Sequence, residues 1–118
     1  MRINRLSAVV FAAIVTLGFS GCMQKSPEQR LERVQTLLQQ NDTLGARLEC
    51  QDIIKKYPDA PETLSARFML SSIYASEQQP DEAIAELKAV MAASSQKDQL
   101  GQMALQQIVG LEIQRGHA

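Results

Sequence analysis

Few side chains in this sequence could do chemistry: two thiols, Cys22 and Cys50, one imidazole, His117, and a run of acids, Glu77, Asp81, Glu82 and Glu86. Paired carboxylates can exchange protons with a substrate or hold a divalent cation. These four are spread around a helix start, where acids favour the dipole, and read as a solvated face. His117 stands one residue from the end, where order is least. Two cysteines do not make a disulfide framework, and no His/Cys/Asp/Glu group has metal-ligand spacing. Cys50 falls on an inward helical face and reads as packing, as do Met69, Met91 and Met103. No catalytic residue, metal or cofactor is therefore expected, and the chain reads as a binding protein and not an enzyme. Cys22 is the thiol left to explain.

Its position is informative. Met1–Arg5 carries Arg2 and Arg5 and no acid, and Leu6–Phe19 is a 14-residue run whose only polar members are Ser7 and Thr16. A basic start and a short apolar stretch have the layout of an export signal. A spanning helix needs about 20 apolar residues. Phe19-Ser20-Gly21-Cys22 then resembles the lipobox of bacterial lipoproteins: an apolar residue, two small residues and a cysteine, with Phe19 standing where leucine is commonest. The resemblance implies that residues 1–21 are a cleaved signal and that the Cys22 thiol takes a diacylglyceryl group, its freed amine being a further acylation point. Two or more chains hold a membrane stably, where one of myristoyl size does not. Residues 22–26 are then the lipidated cysteine and a short tether. An uncleaved membrane helix and an ordinary secreted protein are the alternatives. Met23 is not the aspartate that favours inner-membrane retention in enteric bacteria, so the resemblance implies the periplasmic face of the outer membrane, lipid-anchored, as the expected location.

Charge narrows the partners. The net charge is −1, and without residues 1–21 ten basic side chains face thirteen acidic ones. That balance argues against a nucleic-acid partner. Nothing polybasic flanks Cys22, so membrane attachment would come from lipid and not from electrostatics.

Residues 27–116 read as one all-α domain. Ser26-Pro27-Glu28-Gln29 is a capping box with proline at the first helical position, followed by Leu31, Val34, Leu37 and Leu38 at helical spacing. Asn41-Asp42 breaks this helix. A second starts near Thr43 with Ala46, Cys50, Ile53, Ile54 and Tyr57 on one face, widened by Leu44 and Leu48, and Pro58 ends it. Asp59-Ala60-Pro61-Glu62 repeats the start signal, with a cap before the proline. The third helix carries Leu64, Phe68, Leu70, Ile73 and Tyr74. After Gln78-Gln79 the fourth turns Ala83, Ile84, Leu87, Val90 and Met91 inward, and Ala92–Gln96 reads as loop. Ser95 and Asp98 could cap a fifth helix bearing Leu100, Met103, Ala104, Ile108 and Leu111, with Arg115-Gly116 as its stop. No segment alternates with period two, so no strand is expected.

The helices repeat. Ala46 through Pro58 aligns with Ala83 through Ser95 at an offset of 37 residues, and Val34 and Leu37 align with Ser71 and Tyr74. This resembles the tetratricopeptide repeat, a helical hairpin of about 34 residues. Leu70-Ser71, Tyr74, Ala83 and Leu87 fall on its signature positions. Arg33 stands where leucine is usual, and Asn41 and Gln78 stand at turns where the repeat has glycine. The resemblance implies a short right-handed α-solenoid of about two hairpins with a C-terminal capping helix. With the lipobox it is similar in architecture to small envelope lipoproteins of Gram-negative bacteria, such as the lipoprotein of the barrel-assembly machinery, whose inter-repeat turn Lys55–Pro61 resembles, and the type IV pilus pilotins.

Such repeats bind partners on the face of each hairpin's first helix. The matching residues are Leu31, Gln35, Leu38 and Gln39, then Phe68, Ser72, Ala75 and Ser76. None is basic, so the clamp some repeats use for a C-terminal carboxylate is absent, and an amphipathic helix or extended apolar peptide of another envelope protein suits the face better. The fifth helix has a second apolar side, Leu105, Val109 and Ile113, where a capping helix should be polar. That side is expected to meet a partner or a second copy, and Gly101 and Gly110 to mark close packing. The expected function is a lipid-anchored interaction adaptor or scaffold. The alternative is a pilotin or accessory subunit of a secretion, pilus or outer-membrane assembly machine.

Overall fold

The computed structural model describes residues 25–95 and 98–117. The expectations on residues 1–24, Cys22 among them, lie outside the described residues. The described chain is all-α: five helices and no strand among the described residues.

Local chemistry sets where the helices start and stop. The Gln29 amide donates to Ser26 Oγ at 3.3 Å and the Ser26 amide to Gln29 Oε1 at 3.2 Å. This reciprocal box opens α1, Pro27–Gln39, and satisfies amides that a helix start leaves unpaired. Asn41 then turns left-handed, φ 60°, and the Asp42 amide closes the turn on Leu37 O at 2.8 Å. Asp42 caps α2, Thr43–Lys56, by accepting from the Gly45 amide at 2.9 Å. Tyr57, forced out of helical geometry by Pro58, ends it.

α3, Pro61–Ser76, starts without the expected side-chain cap. Ala60, not Asp59, precedes the first turn, and its carbonyl accepts from the Thr63 amide at 3.0 Å. The buried Thr63 hydroxyl instead donates to Tyr57 O, tying the start of α3 to the end of α2. Gln78 repeats the left-handed turn at φ 60°, the Gln79 amide closing on Tyr74 O at 2.9 Å. α4, Pro80–Ala93, follows, two residues into the expected loop. α5, Gln99–His117, overruns the expected stop at Arg115-Gly116. No left-handed glycine occurs among the described residues to end it.

Each helix packs on the next in sequence, and α1 also touches α3. Two cores result. Val34, Ala46, Cys50, Ile53, Ala66, Leu70 and Ile73 join α1, α2 and α3. Leu87, Val90 and Ala104 join α4 and α5, flanked by Phe68, Met91, Leu100, Ile108 and Leu111. α3 is thus a wall of both. Leu44 and Leu48 do not widen the buried face of α2; they are 57% and 55% exposed. Gly101 is where close packing occurs, since a Cβ there would lie 2.8 Å from Ser95 O, whereas Gly110 has nothing within 4 Å.

The 37-residue offset is physical as well as textual. α2 and α4 coincide at both ends under that shift, and α1 and α3 end together. The two left-handed residues, Asn41 and Gln78, coincide. So do the buried pairs Val34 and Ser71, Ala46 and Ala83, Cys50 and Leu87, and Ile53 and Val90. Arg30 Nε bonds Glu49 at 2.7 Å across the first hairpin, and Arg67 bonds Glu86 at 2.8 Å across the second. These arginines and glutamates are again 37 residues apart.

Candidate functional site

The sequence-predicted surface residues fall into two groups. Leu31 and Phe68 are half-buried, Leu31 packing on the first core and Phe68 on the second. They support the fold and do not line an open face. Gln35, Leu38, Gln39, Ser72 and Ser76 are exposed, as are Leu105 and Val109 on α5. The Ser72 hydroxyl donates to Phe68 O at 3.3 Å and that of Ser76 to Ile73 O at 2.7 Å. With those donors engaged inside α3, the hydroxyl oxygens face outward mainly as acceptors.

Among the described residues a groove lies between α3 and α5. Ser72, Ala75, Gln107, Gly110, Leu111 and Gln114 line about 430 Å³ of it. It continues into a recess where Gln78, Pro80 and Arg115 join Ala75, Leu111 and Gln114. The sequence pointed to Ser72 and Ala75 but missed Gln107, Leu111 and Gln114. Their signal was the glutamine spacing on α5, Gln107 and Gln114 being two turns apart. Amide side chains that both donate and accept, beside an apolar floor, suit peptide backbone and a mixed helix face. Among the described residues lining the groove, Arg115 is the charged one, and it bonds Asp81 and, at 3.0 Å, Glu112.

The acids of the predicted solvated face are mostly fastened to arginines. Glu77 bonds Arg47 of α2 at 2.8 Å, Glu86 bonds Arg67 of α3, and Asp81 bonds Arg115 of α5. Each ties two elements together. Around Arg30, burial opposes its charge, but its bonds to Glu49 and Asp52 outweigh that and raise its pKa. Hydrogen bonds from Arg30, then Lys56, hold the Asp52 carboxyl below its ordinary value. Among the described residues no group of three or more His, Cys, Asp or Glu could hold a metal ion.

Cys50 is fully buried in the first core. Burial, reinforced by the negative charge of Glu49 and Glu86, pushes its thiol up to about 12. A thiol so far from ionising is a packing group and a poor nucleophile. Among the described residues no helix is long and apolar enough to cross a membrane. No protein-family model, no curated protein and no solved structure matches the chain.

Proposed function

We propose that the chain is a lipid-anchored adaptor of the bacterial envelope. Cys22 carries the lipid at the periplasmic face of the outer membrane, and residues 27–116 form a short right-handed solenoid of two tetratricopeptide-like hairpins closed by α5. The observation that carries this reading is the structural repeat. Helix ends, left-handed turns, buried pairs and the arginine–glutamate bonds all recur at one offset of 37 residues. Stacked hairpins of this kind present an elongated face built for protein ligands. The neutral groove between α3 and α5 supports a peptide or helix of another envelope protein as the ligand, held by Gln107 and Gln114 over Leu111.

The membrane half is tested by labelling cells with a radioactive fatty acid and fractionating them. The parent chain takes label and sediments with outer membranes, and Cys22→Ala does neither. A Cys22→Ala chain that is still labelled and membrane-bound would sink the anchor. The groove half is tested with a photoreactive benzoylphenylalanine in place of Gln114 in the same cells. An adduct with another envelope protein is expected, lost when Ser72→Trp fills the groove. An adduct that survives Ser72→Trp, or no adduct, would refute the groove.

A further inference from the structure

α5 stands to α4 as α3 stands to α2. The buried stripe of α3, Thr63, Ala66, Leu70 and Ile73, recurs 38 residues on as Gly101, Ala104, Ile108 and Leu111, all buried or half-buried. In that register Arg67 and Ser71 map onto Leu105 and Val109. Arg67 reaches Glu86 on α4, and Ser71 is buried. One repeat earlier Arg30 reaches Glu49 on α2, and Val34 is buried. These positions therefore face the next helix. On α5 both are bare: Leu105 and Val109 are 49% and 51% exposed, and Ile113, one turn further along the same side, is 55% exposed.

We propose that this stripe pairs with the same stripe of a second copy, the two α5 helices running antiparallel about a two-fold axis at Val109. Leucine at 105 replaces the arginine that seeks a glutamate in α1 and α3. The missing neighbour is thus an apolar helix and not one like α2 or α4. α5 is itself such a helix. Its flanking charges, Glu112 and Arg115, bond each other at 3.0 Å, so two copies oppose no unpaired like charges. The stripe is also self-complementary. Leu105 and Ile113 lie four residues either side of Val109, near the middle of a helix spanning Gln99–His117. A two-fold antiparallel pair sets Val109 on its own equivalent and Leu105 on Ile113, with i, i+4 ridges crossing at about −50°.

This pairing stands apart from the anchor and groove readings, which Cys22 and Gln114 report. The test places benzoylphenylalanine at Val109 or Leu105 of the chain expressed from Met1 and irradiates intact bacterial cells. The expected product is an adduct of two copies. The probe at Val109 maps onto residues near 109 of the second copy, and the probe at Leu105 maps near 113. In a Val109→Glu background the Leu105 adduct falls at least about tenfold, since pairing would bury two carboxylates against each other. Lack of a self-adduct, adducts to other proteins alone, or a Leu105 probe mapping near 105 would each overturn the proposal.

Discussion

Replacing Gln78 by glycine should make the chain more stable. Gln78 holds φ at 60° between α3 and α4, a conformation that costs an ordinary L-residue roughly 1–2 kcal/mol. Glycine relieves that strain but gives the unfolded chain extra freedom worth about 0.5–1 kcal/mol. The net gain is about 0.5–1 kcal/mol, and at 4–8 °C per kcal/mol for a domain of this size the melting temperature rises by roughly 2–8 °C. The turn's own bonds survive, because they run from backbone amides, Gln78 to Ala75 O at 3.2 Å and Gln79 to Tyr74 O at 2.9 Å. Asn41 holds the same angle, but asparagine visits it at less cost, so Asn41→Gly should gain less than half as much. Thermal and urea melts of both variants, with Gln78→Ala as a control that keeps the strain, give the comparison. A Gln78→Gly chain melting at or below the parent, or an Asn41→Gly gain exceeding it, would refute the argument.

Three further outcomes follow from the packing and electrostatics. Gly110→Ala should stabilise α5 by up to about 1 kcal/mol, as helix propensity dictates, because nothing lies within 4 Å of the new methyl; Gly101→Ala should destabilise, because its methyl meets backbone Ser95 O at 2.8 Å, and paired urea titrations show whether the signs differ. Cys50 should resist iodoacetamide in the native state and react quickly once the chain is unfolded. Its folded pKa is raised from 9.0 to about 12, so its contribution to stability is whole below pH 9.0 and is lost as pH rises towards 12, which melts across that range test. Asp52 is depressed below 3.8. Its contribution is present above pH 3.8 and lost as pH falls through the lower folded value, so Asp52→Asn should flatten the acid limb of the stability curve.

Much of this fold is written locally in the sequence. The capping box at Ser26, the proline starts of α1, α3 and α4, and the breaks at Asn41 and Gln78 depend on neighbours within four residues. They appear where the sequence puts them. What was not legible depends on which side a partner helix lies. Leu44 and Leu48 keep helical spacing with the core of α2, yet among the described residues no element covers them. Leu31 and Phe68 share a period with Gln35 and Ser72, and only the position of neighbouring helices separates a packed residue from a surface one. The expected cap at Asp59 failed for a different reason: Ala60 is the residue just before the first turn and has no side-chain acceptor. The groove between α3 and α5 needed residues from two helices whose approach no single-helix pattern records.

The place of α3 in both cores governs how the molecule opens. Detaching α5 strips Phe68 of part of its surroundings but leaves Ala66, Leu70 and Ile73 seated against α1 and α2. Detaching α1 does the converse. Neither end can release α3 alone, so local opening should run inward from the two termini, and the α3 amides should be the last to exchange with solvent. A chain built this way can loosen at one end while the other end keeps its structure.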